Sequence, residues 1–239
     1  MGLSLSKSLM AFVILGLACA GHVWAKDAGC FHLGAQVDEL GGLEGVLLAK
    51  VNNLSRRVHF VKRDVFKKGC PNASPECREK AYLIPGDEVI VIGGTADFVC
   101  AGYVGRNGNG DYNWLPRAAL VFVQEQPAIE SRDWIGKWRR GEGQEIRISQ
   151  IPSSGKLKIE GNATWGQGSY THVGELDAEV APNGASLSFG MGEFGTLSYE
   201  EADEADCRVR MRHLGPYLLV KDNLKCGGAN VSFSDMYRR

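Results

Sequence analysis

Glu-Ile-Arg-Ile-Ser-Gln at residues 145–150 and Lys-Leu-Lys-Ile-Glu at residues 156–160 decide the fold class. Apolar and polar residues alternate in both segments, which is typical of β-strands with one buried side and one solvent-facing side. The sequence between them, Ile-Pro-Ser-Ser-Gly at 151–155, is typical of a hairpin loop. Together the two segments predict an antiparallel β-hairpin.

The rest of the chain repeats this pattern of short strands and turns. Short apolar runs are separated by Gly, Asn, Pro and Asp, the chain contains 31 glycines, and long helical periodicity is missing. These features predict an all-β protein. The predicted strands are residues 45–51, 57–62, 88–92, 98–103, 119–124, 145–150, 156–160, 185–189, 195–199, 207–213, 217–221 and 231–233.

A polar segment at residues 124–130 divides the predicted strands into two groups. It contains Pro127 and follows a strongly apolar strand, as linkers between domains often do. We therefore expect one β domain over residues 26–125 and a second over residues 130–239. Each is close to the lower size limit for a self-sufficient core, so disulfide bonds would help to stabilise both.

The N-terminus has the organisation of a secretory signal peptide. Lys7 gives a positive start, residues 9–20 are apolar but short for a membrane span, and Val-Trp-Ala at 23–25 suits cleavage before Lys26. We expect residues 1–25 to be a signal peptide and the mature chain to be periplasmic or secreted.

Two alternatives to this cleavage remain open. An uncleaved anchor is one of them, and lipoprotein processing at Cys19 is the other, although Gly16 stands where that signal usually has Leu. No later segment is long and apolar enough to cross a membrane, so we expect no integral membrane segment in the mature chain.

Charge argues against polyanionic partners. The chain has 27 basic and 28 acidic residues, and loss of Lys7 with the signal peptide would leave a net charge of −2. A balanced charge of this kind gives no electrostatic footprint for nucleic acid and no general attraction to anionic lipid.

Six cysteines remain after the predicted cleavage, an even number that indicates disulfides in an exported chain. Two lie far from the others and two bracket a turn-rich loop, which leaves a third pair. The predicted bridges are Cys30–Cys100, Cys70–Cys77 and Cys207–Cys226. The cysteines lack CxxC spacing and no histidine pair completes a tetrahedral set, so we expect no metal site and no cofactor.

The first half resembles a bacterial Src-homology-3-type barrel. The resemblance covers about residues 40–123 and rests on the Pro-Gly-Asp turn and strand at 84–91, the strand at 98–103 and Tyr-Asn-Trp-Leu-Pro at 112–116. Asn113 stands where this family usually has Gly before the tryptophan. Asn tolerates left-handed backbone, so the departure is mild.

The resemblance implies an aromatic groove for an extended peptide or a cell-wall peptide stem. Its candidate binding residues are Tyr103, Tyr112 and Trp114. The structural alternative is that Trp114 packs the base of the barrel and Tyr112 covers it.

The second half opens with Trp-Ile-Gly-Lys-Trp at residues 134–138. This opening resembles the first strand of small up-and-down barrels of the lipocalin and avidin type, in which the Trp closes one end. It predicts a small antiparallel barrel or sandwich. Such a barrel either holds a small apolar ligand or is filled by its own side chains.

The C-terminal sequence resembles the ending of exported bacterial proteins, some of which carry it beside a lysozyme-inhibitor-like segment. The match covers residues 215–239, and Asp235 stands where Gly is usual. This implies Asp222, Asn223 and Asn230 as contact residues at a barrel mouth. Turn and capping roles would account for them equally.

Catalytic motifs are missing from the sequence. Gly-Met-Gly-Glu-Phe-Gly at 190–195 matches GxGxxG, but a predicted strand follows it instead of the helix that a dinucleotide site needs. There is no GxSxG elbow, and the mature histidines are scattered. The acidic run at 200–206 is interpreted as a solvated loop or as a docking surface for a basic partner.

These observations favour a non-catalytic, exported envelope binding protein that recognises a protein partner or a cell-wall peptide. Its sharpest form is an inhibitor or immunity protein against a cell-wall-degrading enzyme. The alternatives are a carrier of a small apolar ligand in the C-terminal barrel and an accessory protein of a wall-targeted hydrolase.

Overall fold

The computed structural model describes residues 29–239. The predicted signal peptide, the alternative lipidation site Cys19 and the predicted new N-terminus Lys26 lie outside the described residues. Within them the protein is all-β, with two antiparallel sheets, four single-turn 3-10 helices and two short α-helices, α1 (Leu33–Gln36) and α2 (Ser131–Trp134). None of the described helices is both long and apolar enough to cross a membrane.

The first sheet has seven strands and curls into a half-barrel, in the order β3-β2-β6-β5-β4-β1-β7. Its strands are β1 (Leu47–Val51), β2 (Val58–Val61), β3 (Arg78–Leu83), β4 (Glu88–Gly94), β5 (Phe98–Val104), β6 (Gly110–Pro116) and β7 (Leu120–Phe122). β2 and β6 are in register at one point, where Val61 lies opposite Trp114. The sheet is therefore open beside this contact.

The second sheet has nine strands and forms a nearly closed barrel, in the order β11-β10-β9-β8-β16-β15-β14-β12-β13. Its strands are β8 (Gly136–Arg140), β9 (Gln144–Gln150), β10 (Leu157–Trp165), β11 (His172–Val180), β12 (Ser186–Gly192), β13 (Gly195–Leu197), β14 (Cys207–Leu214), β15 (Tyr217–Asp222) and β16 (Asp235–Arg238). At the seam between β11 and β13, the Glu179 backbone N–H donates to Thr196 Oγ1 at 2.9 Å.

The hairpin predicted from residues 145–160 is β9 and β10, with Ile148 in register with Ile159. Both residues are buried, and so are Ile146 and Leu157, while Arg147 is exposed. One side of the hairpin therefore faces the barrel interior, as the alternation predicts.

Apolar side chains from both sheets meet in a buried cluster between the sheets, which we call the joint core. The half-barrel contributes Ile90, Tyr112 and Trp114, and the barrel contributes Tyr217, Leu219 and Met236. Gly102 permits this approach, because a Cβ on it would lie 2.9 Å from Met236 Cε. The two sheets consequently share buried surface as well as a chain connection.

The three predicted disulfides are present: Cys30–Cys100, Cys70–Cys77 and Cys207–Cys226. The first ties the segment before α1 to β5. The second closes the loop that follows β2, and the third ties the start of β14 to the loop before β16. Three bridges are consistent with an oxidising, extracytoplasmic location.

One predicted strand is wrong and some strands were not predicted. Residues 231–233 are not a strand, because the serines on either side of Phe233 and its own backbone N–H bond the Asp222 carboxylate. The last strand of the chain is instead β16, which begins two residues later at Asp235. β3 and β11 were also missed, and β6 and β8 were anticipated only through the resemblances, at residues 112–116 and 134–138.

Candidate functional site

The three aromatic residues predicted to form a groove are divided between core and surface. Tyr112 and Trp114 are only 2% and 5% exposed. The Tyr112 hydroxyl donates to Asp235 Oδ1 at 2.8 Å, across the contact between the sheets. Tyr103 is half-buried, and the Arg238 guanidinium lies 5.7 Å from its ring centre. These rings therefore do not form an open groove, and Tyr112 and Trp114 have a packing role.

Burial and the neighbouring Asp235 raise the pKa of Tyr112 well above its ordinary value. Asp235 also forms an ion pair with Arg140, whose Nε lies 3.0 Å from Asp235 Oδ2. Arg140 in turn donates to the Gly110 carbonyl oxygen at 3.0 Å. This polar cluster fastens the two sheets together beside the joint core.

The residues predicted for a barrel mouth also serve the fold. The Asp222 carboxylate is buried and accepts hydrogen bonds from the Phe233 backbone N–H and the Ser232 hydroxyl. Asn223 Oδ1 accepts from the Arg208 backbone N–H, which orders the start of β14. Asn230 is exposed with a φ of 65°, as a turn residue. Asp222 and Asn223 lie together at the end of β15, and their contacts are those of a turn system.

The acidic run at 200–206 bonds largely to its own backbone. Asp203 Oδ1 accepts from the Ala205 and Asp206 backbone N–H groups, and Glu201 accepts from Ser198 N–H. This is the solvated-loop arrangement. The loop's capping bonds leave fewer free carboxylate oxygens for a basic partner than the sequence suggests.

The barrel interior is occupied by its own large side chains. Trp134, Trp138, Phe189, Phe233 and Tyr237 are all fully buried there. The Trp138 ring N–H donates to the Trp134 carbonyl oxygen at 3.0 Å, which holds the ring of Trp138 in place. This packing weighs against a ligand carrier.

An open cleft of about 410 Å³ lies where β2 and β6 separate. Its floor is apolar and includes Val58, Phe98 and Pro116, and one wall is formed by residues 72–74 of the Cys70–Cys77 loop. We call it the basic cleft, because its charged lining residues are Arg57 and Arg78, with His59 between them. Among the described residues its lining includes no Asp or Glu.

The two cleft arginines have no carboxylate partner. Within residues 29–239 neither Arg57 nor Arg78 forms an ion pair, although nine other ion pairs are present. Arg57 stacks on the Tyr82 ring at 4.4 Å, which orients its guanidinium without neutralising it. Both arginines are thus free to bind an anionic group.

His59 is held in a defined orientation beside them. Its Nδ1 lies 2.9 Å from the Glu79 carbonyl oxygen, and because a carbonyl only accepts, this nitrogen carries the proton. In the neutral ring Nε2 is then a hydrogen-bond acceptor. The ring also packs at 5.6 Å against Tyr82, in register with it on β3.

The charge of this region is concentrated in one stretch of sequence. Residues 52–83 contain eight basic and three acidic residues. Some of the basic side chains are engaged: Lys67 pairs with Glu76 at 2.9 Å, and Arg63 donates to the Cys30 carbonyl oxygen. Arg57 and Arg78 therefore supply the free positive charge at the cleft.

A wider groove of about 830 Å³ follows the barrel seam beside β11, β12 and β13. Its lining carries charges of both signs, and Lys158 donates to Asp177 within it, a hydrogen bond that raises the pKa of Lys158. A ligand there would have to displace this pair. The smaller basic cleft is consequently the better candidate site.

Sequence reasoning missed the basic cleft because it considered the net charge of the whole mature chain. The concentration of arginine and lysine over residues 52–83 was a readable signal. The GxGxxG segment, in contrast, is the predicted turn: it spans the end of β12 and the start of β13. No strand-to-helix phosphate loop is formed there.

None of the protein-family models, curated proteins or solved structures compared with this chain matches it. The architecture is that of a seven-stranded half-barrel followed by a nearly closed nine-stranded barrel.

Proposed function

We propose that the protein is a non-catalytic binding protein of the bacterial envelope, exported to the periplasm or beyond, that takes a carboxylate-bearing peptide into the basic cleft. The observation that supports this most directly is the pair Arg57 and Arg78, which line a cleft without carboxylates and form no ion pair within the described residues.

The chemistry of arginine supports a carboxylate ligand. A guanidinium presents a planar set of donors that matches a carboxylate through two parallel hydrogen bonds. The stack of Arg57 on Tyr82 reduces the entropy lost when the ligand binds. An apolar floor of Val58, Phe98 and Pro116 would accept the methyl or methylene groups of a short peptide.

A cell-wall peptide stem is the ligand that we favour. It is short, extended and rich in carboxylates, and a cleft of about 410 Å³ suits a few residues better than a folded protein surface. The proposed likeness of the first half to Src-homology-3-type barrels points the same way. The likeness of the second half to lysozyme-inhibitor-like proteins would instead favour an enzyme partner.

The test is a calorimetric titration of the mature protein with a synthetic wall-stem pentapeptide and with its C-terminally amidated form. We expect the free acid to bind more tightly, and binding to weaken as salt is raised. A hydrogen bond to a charged group contributes about 1.5–3 kcal/mol, so Arg57→Ala and Arg78→Ala should each weaken binding by at least tenfold. Arg106→Ala, an exposed arginine on another hairpin, is the matched control.

Three results would contradict the proposal. Equal binding of the free acid and the amide would show that the cleft does not recognise the C-terminal carboxylate of the peptide. Slowing of a muramidase or amidase without any peptide binding would replace it with the inhibitor or immunity function. Cleavage of peptidoglycan by the purified protein would show that it is an enzyme.

A further inference from the structure

The hairpin between β10 and β11 carries large aromatic side chains at its tip. Trp165 is 48% exposed and Tyr170 is 79% exposed, and both lie in the stretch Trp-Gly-Gln-Gly-Ser-Tyr-Thr-His at residues 165–172. Every other tryptophan among the described residues is buried. We call residues 165–172 the aromatic tip.

The aromatic tip lies in an uncharged part of the sequence. No Asp, Glu, Lys or Arg occurs from Gly161 to Gly174, although charged residues make up 23% of the chain. Apart from the His172 ring, the polar side chains there are amides and hydroxyls, including Gln167 and Ser169. Such groups both donate and accept hydrogen bonds without selecting for charge.

The tip has a fixed backbone. Gly166 and Gly168 have φ values of 90° and 58°, which a residue with a Cβ rarely adopts. The Thr171 hydroxyl donates to the Gly168 carbonyl oxygen at 2.9 Å. At the base Trp165 is in register with His172, and their rings meet edge to face at 5.9 Å. The Trp165 ring is therefore held in place while part of its surface remains open to solvent.

We propose that the aromatic tip is a binding site for a neutral oligosaccharide, with a pyranose ring stacked on Trp165 and a second contact at Tyr170. The axial C–H groups of a sugar ring present an apolar face of the size of an indole, and an aromatic face buries such a surface at low entropy cost. Amide and hydroxyl side chains around it would pair with the sugar hydroxyls.

The surroundings of the tip favour a sugar over a protein or a membrane. A stable protein interface buries about 800 Å² on each partner, far more than one hairpin end presents. Membrane-surface segments combine apolar residues with Lys and Arg, and none occurs in residues 161–174. A single sugar ring, in contrast, needs no more than one aromatic face and a few hydrogen-bond partners.

This site is independent of the basic cleft, because it lies on the other sheet and has no charge in common with it. The experiment is titration of the mature protein with the tetramers of N-acetylglucosamine and of glucose, followed by tryptophan fluorescence and calorimetry. We expect at least one tetramer to bind and to change the fluorescence of the exposed Trp165. Binding should change little between low and high salt, because the ligand is uncharged.

Variants of Trp165 distinguish stacking of the ring on the sugar from a purely structural role of this residue. Loss of a central aromatic anchor typically weakens binding about thirtyfold or more, which we expect for Trp165→Ala, with a smaller loss for Trp165→Phe because a ring remains. Phe194→Ala is the matched control, since Phe194 is 97% exposed at a different hairpin. Arg57→Ala should leave sugar binding unchanged.

The proposal is overturned if neither tetramer binds, or if folded Trp165→Ala binds as tightly as the natural protein. Failure of the peptide titration would not affect it, because the two ligands are measured separately with different variants.

Discussion

The two sheets of this protein differ in how far they close. The nine-stranded barrel brings its edges together at a seam and fills its interior with rings such as Trp134 and Trp138. The seven-stranded half-barrel stays open where β2 leaves β6, and the basic cleft lies at that opening. The comparison indicates that the interior of the barrel stabilises the fold, while the ligand sites that we propose lie at the opening of the half-barrel and on an outer loop of the barrel.

The largest effect expected from this comparison is at Trp138. The side chain is fully buried and its ring N–H bonds the Trp134 carbonyl oxygen. Trp138→Ala should lower the free energy of unfolding by about 3–5 kcal/mol, because it leaves a cavity and an unpaired carbonyl. Urea unfolding of the disulfide-bonded protein measures it.

The matched control is Trp165→Ala at the aromatic tip, which should lower the free energy of unfolding by less than about 1 kcal/mol. If the two tryptophan variants were equally stable, the barrel would not be filled as described, and the carrier function would regain support.

A second, smaller effect tests whether the two sheets unfold as one unit. Asp235 accepts from the Tyr112 hydroxyl across the contact and pairs with Arg140 on the neighbouring barrel strand β8. Asp235→Asn would leave a mostly buried guanidinium without its counter-charge and should cost about 3 kcal/mol. Asp38→Asn, which breaks an exposed pair with Lys221, should cost less than about 1 kcal/mol.

Tryptophan fluorescence and far-ultraviolet circular dichroism should give one coincident transition for Asp235→Asn, as for the natural protein. Two separate transitions in the natural protein would contradict the shared core and make the sheets independent domains.

The smallest effect concerns His213 in the barrel. It is buried between Trp134 and Trp138, with no hydrogen-bond partner on either ring nitrogen among the described residues. Burial, and next the charge of Arg239, lower the pKa of His213 below its ordinary value of 6.5, while Asp133 acts in the opposite direction. The unfolded chain therefore takes up this proton at a higher pH than the folded protein does.

Stability contributed by neutral His213 is present above about pH 6.5 and is lost as the pH falls below it, by at most about 1.4 kcal/mol per pH unit. His213→Phe should flatten the pH dependence of the free energy of unfolding between about pH 7 and pH 5, and His32→Gln, at an exposed position, should not. An unchanged slope in His213→Phe would show that other groups set the acid response.

Sequence patterns predicted the barrel hairpin of β9 and β10 well, because its inward residues are large and aliphatic. They missed β11, in which two of the three inward positions, Gly174 and Ala178, are too small to give a strong apolar alternation around Leu176. They missed β3 because most of its residues are exposed on both sides. The disulfides were predictable from spacing, because Cys207 and Cys226 lie far from the others and Cys70 and Cys77 bracket a turn-rich loop, which left Cys30 and Cys100.

The candidate sites were harder to predict than the fold. Spacing places Tyr112 and Trp114 on one side of β6, but whether that side faces water or the second sheet depends on packing between distant segments. Arg57 and Arg78 are brought to one cleft by β2, β3 and the Cys70–Cys77 loop. Only the local excess of basic residues was visible beforehand.

The joint core also determines at what point of synthesis the chain can finish folding. Alternate residues of the last strand, β16, face different cores: Met236 lies in the joint core and Tyr237 in the barrel. The half-barrel is synthesised first, yet Ile90 and Tyr112 stay partly uncovered until β15 and β16 have left the ribosome. A nascent chain that cannot finish folding early remains unfolded for longer. In a protein exported as we propose, that delay would leave the chain able to thread through a membrane channel before its disulfides lock the fold.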